Sequence, residues 1–101
     1  MSRELYRYTF GQELPLEEAE ASLVLALFAV ESLHGEAQVR LDAAHALNAE
    51  RRQCLIDAST EVGKALNRVF VGFLRREFGE AAFRVERLDA ASAGPLAEAA
   101  A

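Results

Sequence analysis

The chain has 101 residues and a formal net charge of −5, and 20 of its 52 apolar residues are alanine, which leaves 32 larger apolar side chains to build a core. That is enough for one small domain and too little for two. The composition excludes a collagen, a low-complexity chain and a disulfide scaffold, and the acidic balance argues against a bare phosphate backbone as partner.

The single cysteine, Cys54, cannot form an internal disulfide, which fits a reducing compartment. The segment from Met1 to Arg7 lacks the basic-then-apolar shape of a signal peptide. The longest apolar run, Leu23 to Val30, is eight residues, against the roughly 20 that a membrane span needs. A soluble, cytoplasmic chain with no membrane partner is therefore expected. The charge is uneven: residues 1–50 carry nine acids and three bases, whereas residues 51–101 carry seven acids and eight bases.

In chain order, Leu5 to Phe10 is aromatic-rich and ends at Gly11, a strand signal. Its alternation puts Tyr6, Tyr8 and Phe10 on one face and Leu5, Arg7 and Thr9 on the other. Pro15 opens a helix to His34, with Glu17, Glu18 and Glu20 at its positive end and Gly35 just past its last turn. Leu16, Ala19, Leu23, Ala26, Leu27, Val30 and Leu33 form its core arc. Residues 37–46 alternate polar with apolar and predict a second strand, and Arg52 to Ala58 predicts a third after a turn near Asn48. That register sets Ile56 opposite Leu41, Cys54 opposite Ala43 and His45 opposite Arg52.

Ser59 or Thr60 caps a second helix striped by Val62, Leu66, Val69 and Phe73, which Gly79 stops after Phe78. Gly63 and Gly72 cost that helix roughly 1 kcal/mol each against alanine, which points either to close packing at these positions or to tolerated drift. Phe83 to Leu88 alternates again as a last, charged edge strand. From Asp89 the chain holds seven alanines and a Gly94-Pro95 break, so the domain is expected over 1–89 and a disordered Ala-rich tail over 90–101.

The order strand, helix, strand, strand, helix, strand predicts an α+β class: a two-layer ferredoxin-like βαββαβ sandwich, with a four-stranded antiparallel sheet carrying two helices on one face. The inward set is Tyr6, Tyr8, Phe10, Val39, Leu41, Ala43, Cys54, Ile56, Phe83 and Val85. The alternative is an all-α bundle with residues 40–58 as a middle helix, although Leu41, Leu47, Cys54, Leu55 and Ile56 make no clean stripe there.

Chemistry-bearing motifs are sparse. No phosphate-cradling glycine loop, nucleophile elbow or metal-ligand spacing occurs, so no catalytic, cofactor or metal residue is assigned. His45 and Cys54 could in principle pair as an activated thiolate, and Arg7, Arg40, Arg84, Asp42, Asp57, Glu86 and Gln53 could make a charged sheet face for a small ligand. The blander reading is a buried thiol and a solvated ion lattice. The basic stripe Lys64, Arg68 and Arg75 offers little to nucleic acid without exposed stacking aromatics.

The unexplained feature is surplus apolar surface on the first helix. Leu25 and Phe28, flanked by Ala21, Ala29 and Ser32, project away from its core arc, and of the neighbouring side chains Val24 and Phe28 are the ones the second helix could cover. The sequence therefore predicts a non-enzymatic protein-protein interaction or assembly module acting as a small homo-oligomer. The alternative is a small-ligand-binding or enzymatic domain using His45, Cys54 and the charged sheet face.

Overall fold

The computed structural model describes residues 4–88. They form an α+β arrangement of β1 (Leu5–Phe10), α1 (Leu16–His34), α2 (Glu36–Asp42), β2 (Ala44–Asn48), β3 (Gln53–Asp57), α3 (Glu61–Phe78), a single 3-10 turn (Glu80–Ala82) and β4 (Phe83–Leu88). The four strands make one antiparallel sheet in the order β2-β3-β1-β4. The all-α alternative is excluded. The expected domain limit at residue 89 and the expected tail over 90–101 lie outside the described residues.

The core lies between one sheet face and the helices. Tyr8, Phe10, Cys54 and Ile56 point into it and meet Ala19, Leu23, Ala26 and Val30 of α1, Val39 of α2, and Val62, Leu66, Phe70 and Leu74 of α3. The rings of Tyr8 and Phe70 pack with centroids 4.9 Å apart, and Phe10 meets Phe70 edge-on at 6.4 Å. The Tyr8 hydroxyl, carried into this core, donates to Asn67 Oδ1 at 2.5 Å, which removes the cost of an unpaired buried polar group.

The largest departure from the sequence expectation is residues 36–42, about two helical turns where a strand was expected. Alternation over six residues does not separate the two states when only one apolar position is buried, and Val39 is that position. Contacts four residues apart support the helix: Arg40 pairs with Glu36 at 2.6 Å, and Gln38 donates to the Asp42 carboxylate. Leu41, placed in the core by the strand reading, is 78% exposed. Arg40 and Asp42 likewise leave the sheet face.

The true second strand begins at Ala44, so the hairpin register shifts. His45 faces Ile56, Ala46 faces Leu55 and Leu47 faces Cys54. Two other inward assignments change: Val85 sits on edge strand β4 and is half-exposed, and Leu33, expected in the core arc of α1, is 76% exposed at the helix end. The terminators behave as read. Gly35 and Gly79 take positive φ at the ends of α1 and α3, and their N–H groups bond Glu31 O and Arg75 O.

Thr60 caps α3. Its Oγ1 accepts from Gly63 N at 2.9 Å while its hydroxyl donates to Asp42 O at 3.0 Å, so one side chain closes the start of α3 and the end of α2. Thr60→Ala is expected to cost about 1–2 kcal/mol in urea unfolding, with Thr60→Ser retaining most of it.

A candidate interaction surface on the first helix

α1 buries Ala19, Ser22, Leu23, Ala26 and Val30 on one side. At about 100° per residue, Ala21, Val24, Leu25, Phe28 and Ser32 fall on the opposite side. Val24 is 42%, Leu25 58% and Phe28 59% exposed, and Ala21 and Ser32 are exposed as well. Ala29, at the edge of this strip, is partly buried. Cover by α3, considered for Val24 and Phe28, is not what the packing gives: α3 lies against the Ser22 side of α1 instead.

α1 is thus nearly apolar all round, whereas α3 is sharply two-sided, with Lys64, Arg68 and Arg75 on its wet edge. Between the two helices runs a groove of about 350 Å³ lined by Ala21, Ser22, Leu25, Phe73 and Phe78, with Glu18, Arg76 and Glu77 at its rim. The groove and the Phe28 side chain lie on the same face, one helical turn apart. Sequence patterning identified the strip but not the groove, because the groove needs the α1–α3 packing to exist.

His45 and Cys54 do not form a reactive pair. Cys54 is fully buried, opposite Leu47 rather than His45, and its Sγ lies 3.9 Å from Leu55 O. Burial pushes its thiol up to about 12, so it is protonated at neutral pH and is no nucleophile. Desolvation lowers the pKa of His45 on edge strand β2. No group of three or more His, Cys, Asp or Glu residues that could hold a metal ion occurs among the described residues.

Two outcomes follow for the thiol. Cys54 is expected to resist a thiol reagent in the folded protein and to react fully in denaturant. Its pKa is raised in the fold, so the unfolded chain loses its proton first as pH rises. Stability should therefore fall between about pH 9 and pH 12, by about 1 kcal/mol per unit, and Cys54→Ala should flatten that slope in alkaline unfolding curves.

Of the charged sheet face, Arg7 pairs with Glu86 at 3.2 Å and Arg84 approaches the same carboxylate oxygen at 3.7 Å, while Gln53 donates to Thr9. On the wet edge of α3, Lys64 lies 3.9 Å from Glu61, and Arg75 lies 3.4 Å from Glu80. These groups satisfy one another locally and carry little net energy. No helix among the described residues is long and apolar enough to cross a membrane. No family model matches the chain, and neither a curated protein nor a solved structure is significantly similar to it.

Proposed function

We propose that this chain is a non-enzymatic assembly module whose α1 strip binds a second copy of itself. The observation that carries the reading is self-complementarity: one face of one chain holds both an exposed phenylalanine and an apolar groove able to receive it. In an antiparallel two-fold crossing centred on Leu25, Phe28 of each copy lies level with Ser22 of the other, and Ala29 lies level with Ala21. A two-fold arrangement uses the same patch twice and closes on itself, so it leaves no strip exposed to recruit further copies. Small residues at 21, 29 and 32 let the two helices approach closely, and the large side chains then fill the remaining space.

The strand order, with all three helices packed on one sheet face, supports reading the scaffold as a ferredoxin-like sandwich in which α2 replaces the first part of the second strand. The single, buried, unactivated cysteine supports a cytoplasmic setting.

Sedimentation equilibrium tests the reading. The parent chain is expected to dimerise, Leu25→Glu to be monomeric with an unchanged circular dichroism spectrum, and Phe28→Ala to weaken the dimer by about 30-fold. A concentration-independent parent monomer overturns it.

A further inference from the structure

Between the N-terminal half of α3 and the start of β1 lies another cavity, of about 280 Å³, lined by Glu4, Tyr6, Ala58, Lys64, Asn67 and Arg68. Its lining is polar where that of the α1–α3 groove is apolar. Lys64 and Arg68 stand four residues apart on α3 and so project from one face of that helix, with Asn67 beside them.

The α3 wall offers donors. Arg68 makes no ion pair or hydrogen bond among the described residues, and Lys64 reaches only the exposed Glu61, at 3.9 Å. Asn67 is held from the inside: the hydroxyl of fully buried Tyr8 donates to its Oδ1 at 2.5 Å. Burial raises the pKa of Tyr8, so that hydroxyl stays a donor. The carbonyl half of the Asn67 amide is thereby committed to the core, and its N–H groups are left for the cavity.

The β1 wall offers acceptors. Tyr6 donates to Glu4 Oε2 at 3.3 Å, which leaves the phenol oxygen able to accept. The Glu4 carboxylate is partly buried, and its nearest cation, Arg87, lies 3.8 Å away. Its main chain is tied on both sides, with Glu4 N donating to Ser59 Oγ at 2.8 Å and Ala58 N donating to Glu4 O at 2.7 Å. The acid is therefore fixed against the same loop that leads into α3.

We propose that this cavity binds a free amino acid, with its carboxylate on Arg68, Lys64 and Asn67 and its ammonium on Glu4 and Tyr6. A bare anion meets Glu4 there, and a bare cation meets Lys64 and Arg68, so a molecule carrying both charges is the complementary ligand. The volume lies below the roughly 300–1,000 Å³ of sites for drug-sized ligands, which restricts the occupant to metabolite size. Tyr8 and the Glu4 main chain hold the polar groups in place before any ligand arrives, so little ordering cost falls on binding. None of the six lining residues belongs to the α1 strip, so this site and self-association stand or fall separately.

The test uses the full chain, labelled with nitrogen-15, titrated in turn with the L-α-amino acids of proteins, β-alanine and γ-aminobutyrate up to about 10 mM. At least one is expected to shift the Asn67 side-chain amide and the backbone amides of Glu4, Lys64 and Arg68, leaving those of Leu25 and Phe28 in place. Arg68→Ala, at an exposed position, should weaken that ligand by about 10-fold or more, and Glu4→Gln should abolish its advantage over butyrate. Tyr8→Phe should weaken binding by releasing the Asn67 amide, while Arg68→Lys should recover part of the affinity. The proposal is overturned if no amino acid shifts these groups. It is also overturned if butyrate or butylamine binds the parent as tightly as the best amino acid, since one charge would then suffice.

Discussion

Replacing Gly63 with alanine is expected to destabilise the domain by about 3 kcal/mol or more, a large part of the roughly 5–15 kcal/mol that a domain of this kind has. A Cβ at this position would stand 2.1 Å from Asp57 O and 3.2 Å from Ala58 Cα. Neither atom belongs to a flexible side chain. Asp57 ends β3, held between Leu5 of β1 and Ala44 of β2, and Ala58 N–H donates to Glu4 O at 2.7 Å. Relief therefore requires either moving the sheet edge or lifting the first turn of α3, and lifting that turn breaks the Thr60 cap on Gly63 N. The helix propensity gained by alanine, about 1 kcal/mol, does not offset this. Thermal unfolding at fixed protein concentration should show a midpoint lower by at least about 12 °C. Gly72, nine residues along the same helix, meets nothing within 4 Å. Gly72→Ala should accordingly stabilise by about 0.5–1 kcal/mol, an effect of opposite sign from the same chemical change. A Gly63→Ala protein as stable as the parent would show that the close approach of α3 to β3 is not as described.

The two glycines show where sequence reading stops. Both cost the helix the same amount, so propensity treats them alike. Only the position of β3 separates close packing from drift. Elements with long, consistent patterns were legible for the same reason that they are stable. Leu5–Phe10 and Phe83–Leu88 alternate and α3 keeps one stripe behind its threonine cap, while α1 is marked by its length between Pro15 and Gly35. Residues 36–42 were not legible, because a single buried valine fits either period and the side-chain pairs Glu36–Arg40 and Gln38–Asp42 decide between them. The misreading then propagated: a strand started seven residues early moved His45 from Ile56 to Arg52 and suggested a histidine beside the hairpin turn. The α1 strip was visible as an excess of apolar residues around the helix.

Arg52→Ala is the second large effect expected, at about 2–3 kcal/mol, and it reads on a residue that no motif marks. Arg52 closes the four-residue loop between β2 and β3 with φ at 55°, the left-handed region that side chains other than glycine adopt at a cost. Its main chain stays tied, with Phe10 N donating to Arg52 O at 2.9 Å. From there the guanidinium reaches across to the connection between β1 and α1, donating to Gly11 O at 2.8 Å, to Phe10 O at 3.4 Å and to Leu14 O. These carbonyls lie where β1 ends and α1 has not begun; Gly11 O also accepts from Leu14 N at 3.1 Å, and the guanidinium adds a donor to each. One planar cation serves all three, which a lysine ammonium at the end of a flexible stem does not match. Three replacements separate the backbone cost from the side-chain gain. Alanine loses the donors and keeps the strained φ. Glycine loses the donors but relieves the strain, so it should be more stable than alanine by about 1 kcal/mol. Lysine keeps the charge and recovers only part of the loss. Urea unfolding should therefore rank the proteins as parent, lysine, glycine, alanine. If alanine equals the parent, the three carbonyls are satisfied by water and Arg52 does not join the hairpin to the start of α1.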